Sequence, residues 1–167
     1  MNNAPLKSHY ALSADTINGF KQRGHCVVRN LASHEEITTY KNAIDEATME
    51  RRWDKRPIEE RDTYGKAFIQ SAALCNHSDK VKEFVFAQRF ARVAAELLGV
   101  DGVRLYHDQA LYKEPGGGFT PWHQDQVYWP LDTDRTITMW MPKSSAITVI
   151  TINGIIPAAG SCACRKR

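Results

Sequence analysis

A histidine and an aspartate separated by one residue, His123 and Asp125, form the pattern in this sequence that is best suited to metal chemistry. On a β-strand, residues two apart project from the same face and lie about 6 to 7 Å apart along the backbone. One imidazole nitrogen and one carboxylate oxygen can therefore bind the same divalent ion. With a second histidine from elsewhere, the site becomes the two-histidine-one-carboxylate face of non-heme Fe(II) oxygenases, which leaves positions open for reactants. A structural zinc site is instead a closed tetrahedron.

The same spacing occurs a second time, at His77 and Asp79. That pair precedes a predicted helix, so Ser78 and Asp79 are interpreted as cap and first-turn residues. His123 differs because it follows a glycine-rich stretch, 114–121, and lies among aromatic residues that would exclude water from a pocket. Those aromatic residues are Trp122, Tyr128, Trp129 and Trp140. Spacing alone leaves two interpretations of His123 open: a metal ligand, or a hydrogen-bonded histidine in an aromatic core.

The elements that position these residues follow from hydrophobic periodicity, which predicts mostly helices in the first hundred residues and strands after them. The predicted helices are 14–23, 34–52, 79–87 and 89–98, and the predicted strands are 25–29, 66–70, 103–112, 122–128, 135–141 and 146–152. Helices followed by strands indicate an α+β chain whose strands form a barrel or sandwich.

Local signals mark the ends of the helices. Ser13 and Gly24 bracket the first helix as N-cap and C-cap, and Ser33 followed by Glu36 is a capping box. Residues 51–62 mix both signs of charge, which indicates a solvated surface rather than a basic binding patch.

The composition excludes several classes of protein. The 167 residues are 43% hydrophobic and 25% charged with a net charge of +3, which is typical of a globular chain and too weakly basic to indicate nucleic-acid binding. No segment reaches the apolar length of a membrane-spanning helix, and the first residues lack the apolar core of a secretion signal. The cysteines Cys26, Cys75, Cys162 and Cys164 form no Cys-x-x-Cys motif, which favours reduced thiols. We therefore expect a cytoplasmic protein that binds neither nucleic acid nor membrane.

A longer pattern resembles the phytanoyl-CoA dioxygenase family. The stretch 110–131 reads ALYKEPGGGFTPWHQDQVYWPL, and TITMW at 136–140 follows it. It combines a Lys-x-Pro-Gly sequence with Trp-His-Gln-Asp and Tyr-Trp-Pro, and the resemblance covers about residues 10 to 142.

This resemblance implies an Fe(II)- and 2-oxoglutarate-dependent dioxygenase that hydroxylates a small-molecule or acyl substrate with dioxygen. It also implies that the N-terminal helices pack on a double-stranded β-helix, a jelly-roll or cupin-like barrel. His123 and Asp125 would bind the iron. The residues near 2-oxoglutarate would be Gln109, Gln124 and Trp140, with Lys113 and Gln70 as further candidates.

The sequence departs from the family pattern at its end. The family has a distal histidine and then an arginine for the 2-oxoglutarate carboxylate, but the histidines here are at 9, 25, 34, 77, 107 and 123, and Cys162 stands about where the distal histidine is expected. We therefore expect one domain over 1–167, truncated or altered after about 142, with an incomplete barrel. The alternatives are an inactive fragment or pseudoenzyme of the family, a Cys162 thiolate ligand, and a metal-free cupin-like binding module.

Overall fold

The structure is a computed structural model that describes residues 6–63, 65–115, 128–129, 131–133, 135–142, 147–151 and 155–157. Its helices are α1 Ala14–Arg23, α2 His34–Arg51, α3 Asp79–Val85 and α4 Gln88–Leu98, with short 3-10 helices at Ile58–Glu60 and Leu74–Asn76. Its strands are β1 His25–Arg29, β2 Ile69–Ala72, β3 Val103–Leu105, β4 Gln109–Tyr112, β5 Thr138–Trp140, β6 Ile147–Thr151 and β7 Ile155–Pro157. This mixture of helices and strands confirms the predicted α+β class.

The predicted helix caps are present. The Ser13 hydroxyl accepts a hydrogen bond from the Thr16 N–H at 3.1 Å, and Gly24 ends α1 in the left-handed conformation at φ 73°. Ser33 and Glu36 form the reciprocal capping box, with the Glu36 N–H on the Ser33 hydroxyl at 3.1 Å and the Ser33 N–H on the Glu36 carboxylate at 2.8 Å. Both helix starts therefore satisfy backbone N–H groups that have no partner within the helix.

The described residues fall into two compact units. The first contains residues 6–39, 86–106 and those from 128 onward. Within it, β6 lies between β1 and β5 in an antiparallel three-stranded sheet, and β3 pairs with β7. Strand β1 alternates between exposed and buried positions, with Cys26 and Val28 inward. Helix α4 packs against α1 and β3 and buries the stripe Phe90, Val93, Ala94 and Leu97, as its 3.6-residue periodicity requires.

A partly buried ion pair joins three segments of the first unit. The Arg89 guanidinium at the start of α4 donates to both carboxylate oxygens of Glu36, at 2.7 and 2.8 Å. It also donates to the Leu31 carbonyl at 2.9 Å, and to the Ser8 carbonyl and hydroxyl. The N–H of Leu6 donates to Glu36 at 3.1 Å. One arginine thus holds the N-terminal segment, the turn before α2 and α4 together.

The second unit contains residues 40–85 and 107–115 among those described. Strands β2 and β4 form an antiparallel pair, and α3 packs on the 3-10 helix Leu74–Asn76. Its apolar core includes Ala47, Leu74 and Val81, with Ile44, Val85 and Ala110 packed against them.

Two predicted strands differ from the structure, and one observed strand has no counterpart among the predictions. The predicted strand 103–112 is wrong as one element, because Asp108 leaves the ladder: its carboxylate accepts the Leu74 N–H at 2.8 Å and its carbonyl accepts the Ala73 N–H at 2.9 Å. The result is two strands, β3 and β4, in different sheets. The strand predicted at 66–70 is found at Ile69–Ala72, and β7 was not predicted. The strand predicted at 122–128 lies largely outside the described residues.

None of the described helices combines the length and apolar character needed to cross a bilayer. The described strands form sheets of three, two and two strands, so the predicted barrel stays a prediction.

Candidate functional site

The predicted iron ligands His123 and Asp125, together with Gln124, lie outside the described residues, as does Cys162. Within the described ranges, no three His, Cys, Asp or Glu side chains are grouped closely enough to hold a metal ion. The predicted site residues that the structure places are Gln70, Gln109, Lys113 and Trp140.

Two of these residues, Gln70 and Gln109, are brought together by the pairing of β2 with β4. The register sets Gln70 opposite Leu111 and Ala72 opposite Gln109, so the two glutamines are diagonal neighbours on one face. The Gln109 amide Nε2 donates to Gln70 Oε1 at 3.1 Å. Gln70 is buried, at 6% exposure, and its backbone carbonyl accepts the Trp53 N–H at 3.0 Å. Gln70 is therefore held through both its backbone and its side chain.

This contact orients the Gln109 amide. A carboxamide has two N–H donors and one carbonyl acceptor, and one donor of Gln109 is used on Gln70. Gln109 itself is exposed while Gln70 is buried. The pair thus presents a hydrogen-bonded amide, a group that can donate to a carboxylate.

The end of β4 is anchored at successive residues. The Tyr112 hydroxyl donates to Asp45 in α2, and Asp45 also pairs with Lys41 at 2.8 Å. Burial and the hydrogen bond to Asp45 raise the pKa of Tyr112 to about 12. Tyr112 therefore remains protonated at neutral pH and acts as a tether.

Lys113 is the next residue in the chain. Its ammonium lies 4.3 Å from the centroid of the Phe68 ring, a distance at which a cation is attracted to the ring face. The prediction that Lys113 lies near 2-oxoglutarate is not tested by this contact.

Glu114 forms an ion pair with Arg61 that the sequence did not predict. The mixed charges of residues 51–62 predict a solvated surface. That interpretation fits the Arg56–Asp54 pair, whose side chains are 56% and 27% exposed and in which hydrogen bonds from Arg56 lower the Asp54 pKa to about 2. It is wrong for Arg61, which is only 6% exposed and donates from Nε to the Arg56 carbonyl at 2.8 Å. Arg61 lies just after the 3-10 helix Ile58–Glu60, where no periodicity marks a buried position.

Cys75 is unsuited to nucleophilic chemistry or metal binding in its present setting. Burial and a hydrogen bond with Asp108 raise the pKa of its thiol to about 11. The thiolate is the reactive and metal-binding form, so Cys75 is almost wholly protonated at neutral pH.

The second His-x-Asp sequence is a helix start, as predicted. The Ser78 hydroxyl accepts the Val81 N–H at 3.3 Å in the first turn of α3, and His77 is exposed. Trp140 ends β5 in the first unit, opposite Val149 of β6, and its side chain is 42% exposed.

Comparison with known proteins gives a family. Residues 20–145 match phytanoyl-CoA dioxygenase (PhyH). The chain belongs to the phytanoyl-CoA dioxygenase family. The matched range contains every residue that is predicted to bind iron or to lie near 2-oxoglutarate in this family member, from Gln70 to Trp140.

Solved structures similar to this family member show its fold. One is the non-heme alpha-ketoglutarate-dependent carbocyclase SnoK from nogalamycin biosynthesis, at 14% identity and a TM-score of 0.67, over 87% of this chain and 76% of SnoK. Another is CT296 from Chlamydia trachomatis, at 15% identity and a TM-score of 0.51, over 92% of this chain and 88% of CT296. No curated protein matches the chain.

Proposed function

We propose that this protein is an Fe(II)- and 2-oxoglutarate-dependent oxygenase that hydroxylates a small-molecule or acyl substrate with dioxygen. The observation that carries the proposal is the family match over residues 20–145, which includes the Trp-His-Gln-Asp sequence and all the predicted site residues. The finer fold belongs to the same proposal: helices packed on a double-stranded β-helix, supported by the likeness to SnoK.

The donor set fits ferrous iron. His123 and Asp125 provide one imidazole nitrogen and one carboxylate oxygen, donors that suit Fe(II) and leave coordination positions for reactants. When bound, iron and 2-oxoglutarate supply the oxidising chemistry with dioxygen, which is a property of these groups rather than of the protein. The two side chains bind and orient the metal.

The Gln70–Gln109 pair is proposed to orient 2-oxoglutarate. With one N–H donated to Gln70 at 3.1 Å, the second N–H of Gln109 can donate to a carboxylate oxygen. Gln70 is buried, so it holds that amide in one orientation before the cosubstrate arrives, which reduces the entropy lost on binding. Gln124, Lys113 and Trp140 are proposed as further cosubstrate neighbours.

The experiment compares two matched histidine variants. His123→Ala is expected to lower Fe(II) affinity and to abolish conversion of 2-oxoglutarate to succinate. His77→Ala removes the histidine of the other His-x-Asp sequence, which is exposed at a helix start, and is expected to bind iron like the wild type. Equal Fe(II) affinity in the wild type and His123→Ala would show that the ligand assignment is wrong.

A second candidate function is that of a non-catalytic family member. It is favoured by Cys162, which stands about where the family resemblance places the distal histidine. It predicts that the purified chain forms no succinate above background even where Fe(II) binds, and steady succinate production would refute it.

A further inference from the structure

Asp108, which lies between β3 and β4, is hydrogen-bonded to the chain that follows β2. Its carboxylate accepts the N–H of Leu74 at 2.8 Å and the N–H of Cys75 at 3.4 Å. Its backbone carbonyl accepts the Ala73 N–H at 2.9 Å. The carboxylate therefore caps the start of the 3-10 helix Leu74–Asn76 from 34 residues away in the sequence.

Ala73 has a backbone conformation that residues with a side chain rarely adopt. Its φ is 56°, in the left-handed region, where the Cβ atom crowds the following carbonyl oxygen. Such a conformation persists only where surrounding contacts impose it, and the hydrogen bond to the Asp108 carbonyl is one of these contacts. The bonds made by Asp108 thus define the course of the chain where β2 ends.

This junction lies next to the Gln70–Gln109 pair. Gln109 directly follows Asp108 in the sequence, and it lies opposite Ala72, the last residue of β2. Because Gln109 is exposed, its amide is placed by its own backbone and by its hydrogen bond to Gln70 at 3.1 Å. A shift of the backbone at Asp108 would therefore move the Gln109 amide.

We propose that Asp108 is a positioning residue for 2-oxoglutarate. By joining the start of β4 to the end of β2, it places the Gln109 amide so that the second N–H of that amide donates to the cosubstrate carboxylate. Asp108 acts through Gln109 and does not contact the cosubstrate in this role. The inference rests on the proposed function, in which Gln109 is a neighbour of 2-oxoglutarate.

A purely structural cap would behave differently. Its loss would lower the free energy of unfolding and leave the 2-oxoglutarate affinity of the folded protein unchanged. A positioning residue changes that affinity, and it does so only while the Gln109 amide is present, because two residues that act on one contact are energetically coupled.

The test is a double-mutant cycle on 2-oxoglutarate binding, measured by isothermal titration calorimetry with Fe(II) under anaerobic conditions. Asp108→Asn is expected to weaken binding by about two- to tenfold, the equivalent of one hydrogen bond. Gln109→Leu is expected to weaken it by a similar factor, and Asp108→Asn added to Gln109→Leu is expected to cause no further loss. As a control, Asp62→Asn alters another carboxylate that accepts a backbone N–H, that of Gly65 at 2.6 Å, and is expected to bind like the wild type.

The outcomes separate this inference from the proposed function. A wild type that binds no 2-oxoglutarate would overturn both, and wild-type affinity in Gln109→Leu would overturn the role of Gln109 and the inference with it. If Gln109→Leu weakens binding, unchanged affinity in Asp108→Asn overturns the inference alone, as does an equal loss from Asp108→Asn with and without the Gln109 amide. If Asp108→Asn fails to fold by circular dichroism, Asp108→Ser, which keeps a cap acceptor, replaces it under the same criteria.

Discussion

Replacement of Glu36 by glutamine is expected to destabilise the fold strongly, because Glu36 is the carboxylate partner of a buried arginine. The side chains of Arg89 and Glu36 are 9% and 19% exposed. Glu36 also accepts the N–H groups of Leu6 and Ser33. A glutamine in its place would direct an amide donor at groups that are themselves donors, and would leave the Arg89 charge buried without compensation.

The magnitude follows from the burial. Removing one partner of a buried ion pair costs about 3 to 5 kcal/mol, and we expect about 3 kcal/mol here because Glu36 is partly exposed and glutamine keeps one acceptor oxygen. In a chain of 167 residues, 1 kcal/mol corresponds to about 2 to 4 °C in Tm. Glu36→Gln should therefore lower Tm by about 6 to 12 °C.

The effect should depend on pH with a definite sign. Burial raises the pKa of the Glu36 carboxyl, but hydrogen bonds from Arg89 and from the Ser33 and Leu6 backbone outweigh it, so the pKa lies below its ordinary value. A carboxyl with a lowered folded pKa stabilises the fold above its unfolded pKa of about 4.3. That stabilisation is lost as pH falls through the folded pKa. The difference between wild type and variant should be constant near neutral pH and shrink below about pH 4.

The assay is urea unfolding followed by circular dichroism at several pH values. Glu35→Gln is the matched control, since Glu35 is exposed in the same first turn of α2 and its loss removes only a helix-dipole interaction of about 0.3 to 1 kcal/mol. The reasoning is refuted if Glu36→Gln changes the free energy of unfolding by no more than Glu35→Gln does.

Two further predictions concern titrating side chains of the second unit. Cys75 should react with iodoacetamide at pH 8 about a hundredfold more slowly than a free cysteine peptide, because burial and Asp108 raise its pKa to about 11. Peptide-resolved mass spectrometry measures the rate of this reaction. A rate equal to that of the peptide would contradict the raised pKa. Tyr112→Phe removes a hydrogen bond to the charged Asp45 and should cost about 1.5 to 3 kcal/mol in urea unfolding. Tyr10→Phe removes a hydrogen bond to a neutral carbonyl and should cost less, so equal losses would show that the charge on Asp45 does not strengthen the bond.

The helices were predictable because their signals are local. Ser13 and Gly24 bracket α1, and both act as caps because the backbone there needs a side-chain acceptor and a left-handed residue. The apolar stripe of α4 is buried for the equally local reason that its residues recur at the helical period.

The errors lie where distant residues decide the local structure. Asp108 breaks the predicted strand 103–112 because Leu74, which lies 34 residues away in the sequence, offers it a backbone N–H. Arg61 is buried where it pairs with Glu114, which lies 53 residues away in the sequence. No charge pattern within residues 51–62 contains that information.

The candidate site contains features that the sequence predicts and features that depend on distant residues. The family resemblance named Gln70 and Gln109, but their hydrogen bond depends on the register of β2 with β4 across 39 residues. His123 and Asp125 stay predictions of the sequence, since they lie outside the described residues.

The pairing of β1 with β6 has a consequence for biosynthesis. His25 lies opposite Thr151 and Arg29 opposite Ile147, so β1 leaves the ribosome more than a hundred residues before its partner is made. At about 5 to 20 residues per second, that interval lasts roughly 6 to 24 s. During this time β1 has no partner strand, and unpaired strand edges are the surfaces through which incompletely folded chains aggregate.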